Sequence, residues 1–136
     1  MAFKFEELDV WKLSLEYSDL IYALADKLPE RERYNLSSQI TRAATSISLN
    51  IAEGSTGQSN PEQNRFPGLA LRSLIETVAC QRLITRRKYV VDKDYMEQVD
   101  LKAQELAKRL SAFRKALTTS NKNISEEQSI YNADEI

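Results

Sequence analysis

Any catalysis in this chain would proceed without histidine, because the 136 residues contain none. The commonest general base and the commonest metal ligand are therefore missing. The single cysteine, Cys80, stands alone in a helical pattern, whereas a zinc site needs several thiolate or carboxylate ligands. Cys80 reads as a small buried apolar residue, and no intrachain disulfide can form. The paired carboxylates Glu6–Glu7 and Glu126–Glu127 lie near the chain ends, with no pocket context. The stretch "NIAEGSTGQS" holds Gly54-x-x-Gly57, but it lacks the Lys-Ser/Thr ending of a phosphate loop and no strand precedes it. It reads as a turn. These residues predict no enzyme, no metal and no cofactor.

What remains for chemistry is arginine. Arg65, Arg72, Arg82 and Arg86 fall within an arc of about 100° when each residue turns 100° on a helix. Arg87 and Lys88 extend that charge toward the C-terminal end of the same segment. Antiparallel packing would bring Arg31 and Arg33 to the same end, forming a patch suited to phosphates. The plainer alternative is that cations complement a helix C-terminus, or are simply solvated. Arg42 stands beside Ala43 and Ala44, where small residues admit a neighbouring helix. It reads either as a partner for an acid on another helix or subunit, or as a solvated cation. Glu53 is unfavourable at the negative end of its own helix but close to the positive start of the next. There it is placed to pair with Arg65 or Arg72, in the same chain or a neighbour.

Four helices must position these groups. Asp9 is a candidate cap for a first helix, in which Val10, Trp11, Leu13, Tyr17, Leu20, Ile21, Leu24 and Leu28 recur at spacings of three and four. Pro29 ends it. The second is expected from Glu30–Glu32, with Leu36, Ile40, Ala43, Ala44, Ile47 and Ile51 inward, and with Gly54 in the left-handed position just past its end. Asn60, Pro61 and Gln63 form a capping-box start for the third, expected to run to about Tyr89, with Pro67 near its first turn or kinking it. Asp92 caps the fourth, whose Val99, Ala103, Leu106, Leu110, Phe113 and Leu117 alternate steps of four and three. Short connections between long helices predict an all-α, antiparallel up-down four-helix bundle over 1–120. Residues 121–136 read as an acidic, disordered tail. The third helix is apolar nearly all round between Leu69 and Ile84. A small bundle covers only part of that circumference, so the surplus predicts self-association.

Net charge is −1, from 19 basic and 20 acidic residues. The tail from Asn121 holds Lys122 against Glu126, Glu127, Asp134 and Glu135, which leaves the rest slightly basic. No signal-peptide pattern or membrane-spanning stretch is visible, so a soluble cytoplasmic protein with no membrane partner is expected.

The residues Leu8, Val10, Trp11, then Pro29 and Glu32, Tyr34, Leu36 and Gln39, Arg42 and Ala43, and finally Ser46, Ile47, Asn50, Ile51, Ala52, Glu53 and Gly54 carry a resemblance. Over about Phe3 to Leu117 the chain resembles the four-helix-bundle family named for proteins encoded in intervening sequences of 23S ribosomal RNA genes. More distantly it is similar to the accessory variability protein of diversity-generating retroelements. The resemblance implies a pentameric ring, nucleic-acid binding and, as a partner, a reverse transcriptase. It also implies that Arg42, Asn50, Glu53 and Gly54 serve packing and assembly. In "LRSLIE", Arg72 replaces the family's glycine, while Ser73, Leu74 and Glu76 keep its pattern. Two functions follow as expectations. One is an oligomeric accessory protein holding nucleic-acid backbone through Arg31, Arg33, Arg65, Arg72, Arg82, Arg86, Arg87 and Lys88. The other is a protein–protein scaffold with no nucleic-acid contact of its own.

Overall fold

The computed structural model describes residues 3–56 and 61–128, and their side chains except those of 61–64 and 118–128. Among them are four α-helices, α1 (Asp9–Asp26), α2 (Leu36–Gly54), α3 (Pro61–Arg86) and α4 (Lys93–Gln128), with 3-10 turns at Lys4–Glu7 and Glu30–Glu32. Helix α1 packs on α2, α2 on α3, α3 on α4 and α4 back on α1, so α1 lies diagonally across from α3.

Side-chain contacts fix the directions. Ser14 meets Ser48 at 2.8 Å and Tyr22 meets Thr45 at 3.0 Å, so α2 descends as α1 ascends. Ser46 meets Ser73, and Arg82 meets Asp100, completing the up-down alternation. The expected four-helix bundle is therefore the observed one, and α1 and α3 run the same way.

The periodic residues form the core. Leu13, Tyr17, Ile21 and Leu24 of α1 are buried against Ile40, Ile47 and Ile51 of α2, Leu74 and Ile84 of α3, and Val99, Leu106 and Leu110 of α4. Removing this apolar surface from water is the main force that holds the helices together. At the centre lies a polar chain that runs across the diagonal. The Gln81 Nε2 donates to the Tyr17 hydroxyl at 2.7 Å, which reaches Thr77 Oγ1 at 2.7 Å, which donates to the Leu74 carbonyl at 2.6 Å. Gln81 Oε1 is buried without a partner. Burial pushes the Tyr17 hydroxyl up to about 12.

Several helix boundaries depart from the sequence expectations. Asp9 is the first residue of α1 rather than its cap. Leu8 holds the cap position, and its carbonyl accepts the Trp11 and Lys12 N–H groups. The α2 helix starts at Leu36, because Asn35 has non-helical backbone angles and Glu30–Glu32 forms its own turn. Gly54 is the last residue of α2 and not a left-handed residue beyond it. Its missing side chain serves a close approach: a Cβ there would lie 3.1 Å from Pro67 Cδ. Pro67 lies inside α3.

The left-handed terminator occurs instead at Lys88, with φ of 59°. Lys88 N–H donates to the Thr85 carbonyl and Tyr89 N–H to the Ile84 carbonyl, the paired bonds of a Schellman ending. Asp92 caps α4 as expected, its Oδ1 accepting the Tyr95 N–H at 3.0 Å. The α4 helix continues to Gln128, past the boundary expected at 120. Asn60, the side chain of Gln63 and residues 129–136 lie outside the described residues. No described helix is long and apolar enough to cross a membrane.

Candidate functional site

Three surfaces carry the candidate residues. The first is the end of the bundle where α1 and α3 finish. Pro29 sends the chain into the Glu30–Glu32 turn, and the Schellman ending sends α3 back toward it. The Arg31 guanidinium lies 5.3 Å from the centre of the Tyr89 ring. Glu32 sits beneath, only 8% exposed. Its Oε2 accepts the Tyr89 hydroxyl at 2.7 Å, and its Oε1 accepts the Asn35 amide at 2.9 Å and the Leu36 N–H at 3.4 Å. The Tyr89 hydroxyl foremost, then Asn35 and Leu36, hold the Glu32 carboxyl below its ordinary value despite its burial.

Arg31 is thus brought to the end of α3 through Tyr89, and Arg87 acts on the Glu32 carboxyl from that end, whereas Arg33 lies over the Tyr34 ring. Arg33 makes an exposed ion pair with Glu30 at 3.4 Å. Arg31, Arg86, Arg87 and Lys88 make no ion pair among the described residues. Unpaired cations clustered at one end can meet phosphate oxygens by charge-assisted hydrogen bonds.

The second surface is the outward face of α3. The sequence arc of four arginines does lie there, but the structure breaks it up. Arg82 is committed to Asp100 at 2.8 Å, and Arg65 lies over the Phe66 ring. Arg72 and Arg86 remain exposed on a face that also presents Ile75, Ala79 and Leu83. Cations around an apolar centre resemble a protein interface more than a phosphate groove.

The third surface is a polar cleft of about 380 Å³ between α2 and α3, lined among others by Tyr34, Gln39, Arg42, Ser46, Ser73 and Glu76. Tyr34 is 86% exposed at its rim, with Arg33 over its ring. Arg42 reaches Ser38 Oγ at 2.8 Å rather than an acid. The Asn50 amide donates to the Ser46 carbonyl and hydroxyl, and Ser46 accepts from Ser73 at 2.9 Å, tying α2 to α3. Glu53 is exposed in the last turn of α2.

The cleft as a unit was not visible in the sequence. Its walls come from segments far apart in the chain, and Ser73 and Glu76 on α3 were noted only for their family pattern. Burial pushes the Cys80 thiol up, and Glu76 adds to the effect, consistent with an unreactive core residue. The described residues offer no group of three His, Cys, Asp or Glu side chains able to hold a metal.

The sequence profile of the 23S rRNA-intervening sequence protein family matches residues 6–112. The chain belongs to this family. A crystal structure of an S23 ribosomal protein family member of unknown function, from Bacteroides thetaiotaomicron, is similar to it. The two are 30% identical over 78% of this chain and 95% of that one, with a TM-score of 0.68. No curated protein matches the chain.

The residues that carry the resemblance to the intervening-sequence proteins divide into two sets. Leu36, Ile47, Ile51 and Gly54 are buried and pack the helices. Tyr34, Gln39, Arg42 and Ser46 meet Ser73 and Glu76 around the cleft. One part of the family pattern therefore describes this bundle's core, and the other describes one of its faces.

Proposed function

We propose that this intervening-sequence family protein is a non-enzymatic, self-assembling accessory module, a pentameric ring in the form the resemblance implies. It holds nucleic-acid backbone at the basic end of each bundle. The observation that carries the reading is the contact of Arg31 with Tyr89, which brings it to the end of α3 bearing Arg86, Arg87 and Lys88, none of these four in an ion pair among the described residues. Binding there is to phosphates, which position a nucleic acid without reading its bases. Affinity for structured RNA or DNA therefore falls steeply with salt. The family's name records where such proteins are encoded and does not itself imply RNA binding.

Gel-shift titrations with a structured RNA at two salt concentrations test this. Replacing Arg31, Arg87 and Lys88 together by Ala should weaken binding across sequences and lower the salt slope by about 2 to 3. No retardation of structured RNA at low salt would refute nucleic-acid binding.

A second reading, a scaffold for a protein such as a reverse transcriptase, is favoured by Ile75, Ala79 and Leu83 standing among the arginines of α3. Protein purified at low salt separates the two. Copurified nucleic acid raises the ratio of absorbance at 260 to that at 280 nm and supports the first reading. A clean protein that captures a protein partner supports the second.

A further inference from the structure

We infer that the polar cleft between α2 and α3 is a binding site for a guanine base, held by Glu76 on one wall and Arg42 on the other, with Tyr34 stacking at the rim. The site is separate from the phosphate-binding end of the bundle. The same base chemistry comes from a free nucleotide or from an unpaired guanine in a strand, and only the strand form rests on the reading above.

The cleft encloses about 380 Å³, within the roughly 300–1,000 Å³ of small-molecule sites. Ser73 bridges it to Ser46 at 2.9 Å. Because α2 descends as α3 ascends, Arg42, four residues before Ser46, and Glu76, three after Ser73, stand about one turn beyond that bridge on opposite walls. Both are exposed, and neither makes an ion pair among the described residues. Ser38 Oγ takes one Arg42 N–H at 2.8 Å, which leaves the other donors of the guanidinium fork for a ligand. Two opposite charges thus face one space without neutralising each other. A ligand between them must offer donors to one side and acceptors to the other.

Guanine offers both. Its N1–H and N2–H groups are adjacent donors that match the two oxygens of a carboxylate, and its O6 and N7 are adjacent acceptors that match a guanidinium fork. Those edges lie on different sides of the ring, so a base between the walls meets both charges at once. Adenine sets its amino donor between two acceptors, uracil flanks its N–H with two carbonyls, and cytosine offers the carboxylate a single amino group. The rim supplies a stacking surface. Tyr34 is 86% exposed, and unpaired bases stack on such aromatic side chains. An α-amino acid would also satisfy both charges, but it would leave Tyr34 unused.

Calorimetric titration of the full chain with nucleosides, which carry no phosphate, tests the cleft apart from the basic end. Guanosine should bind, and adenosine, cytidine and uridine should bind at least tenfold more weakly. Inosine lacks only the N2 amino group and 7-deazaguanosine only the N7 acceptor; each should lose about tenfold. Glu76→Ala should abolish the difference between guanosine and inosine, and Arg42→Ala that between guanosine and 7-deazaguanosine. Both positions are exposed, so circular dichroism should find both variants folded. Tyr34→Ala should weaken guanosine about tenfold, and Tyr34→Phe should not. No heat of binding with guanosine, equal binding of the four nucleosides, or analogue differences that survive the two substitutions would overturn the inference, and would leave phosphate binding at the end of α3 standing. A uridine oligonucleotide with one central guanosine, compared with uridine alone, separates the sources. Tighter binding of the guanosine-bearing strand supports the strand form, and guanosine binding without that gain supports the free nucleotide.

Discussion

Glu32 closes one end of the bundle with a single carboxylate. It caps α2 through the Leu36 N–H and ties that helix to the end of α3 through Tyr89. A carboxyl held below its ordinary value stabilises the fold above its unfolded-state value and loses that contribution as pH falls through the folded one. Wild type should therefore be more stable than Glu32→Gln near neutrality, and the difference should shrink as pH drops below the usual carboxylate range; denaturation midpoints across pH measure it. Tyr17 titrates the other way. Its hydroxyl is raised to about 12 from an ordinary 10.0, so its contribution is intact below about 10 and is lost between there and about 12. Alkaline unfolding should be less steep in Tyr17→Phe. That variant should also cost about 1–3 kcal/mol at neutral pH, since it strands the Gln81 amide in the core. At Lys88 the left-handed backbone is a strain that glycine removes. Lys88→Gly should stabilise the fold by about 1 kcal/mol in urea titration while weakening phosphate binding.

At the scale of the helices, the contact between Gly54 and Pro67 sets how closely α2 and α3 approach. Gly54→Ala would place a methyl 3.1 Å from one proline ring carbon and 3.2 Å from another. A rigid ring cannot swing aside, so the helices must separate, at a cost of about 1–3 kcal/mol by analogy with core overpacking. Thermal denaturation measures this. The same glycine shows where sequence reading reaches its limit. Asp92 was legible because a cap and the N–H it accepts are three residues apart. Gly54 was legible as special, but the local rule for a glycine at a helix end gave the wrong cause, since the atom it accommodates lies on another helix. Glu32 was unreadable as a cap because its strongest partner, Tyr89, is 57 residues away. The buried Thr77 and Gln81 keep the three-and-four spacing of Leu74 and Ile84, but a polar side chain at such a position does not declare burial until its partner on another helix is known.

For the whole molecule, the four-helix architecture was legible because every helix carries a continuous inward row and because breakers are few. The approach of Arg31 to the end of α3 was legible from up-down topology alone. The division of the arginine arc was not, since the Arg82–Asp100 pair depends on how α4 lies against α3. Light scattering at micromolar concentration should find a particle several times the 15.6 kDa chain mass. Ile75→Lys together with Leu83→Lys should reduce it to the monomer without lowering helix content.

The polar chain at the centre has a consequence beyond the stability it adds. Gln81 and Tyr17 have each other as partners at only one setting of α3 against α1, and sliding by a turn would separate them, while Thr77 would keep its bond to the Leu74 carbonyl of its own helix. The chain is thus a gauge that sets the height of α3 against α1. Apolar replacements at Tyr17 and Gln81 together could leave stability nearly unchanged and still blur that setting.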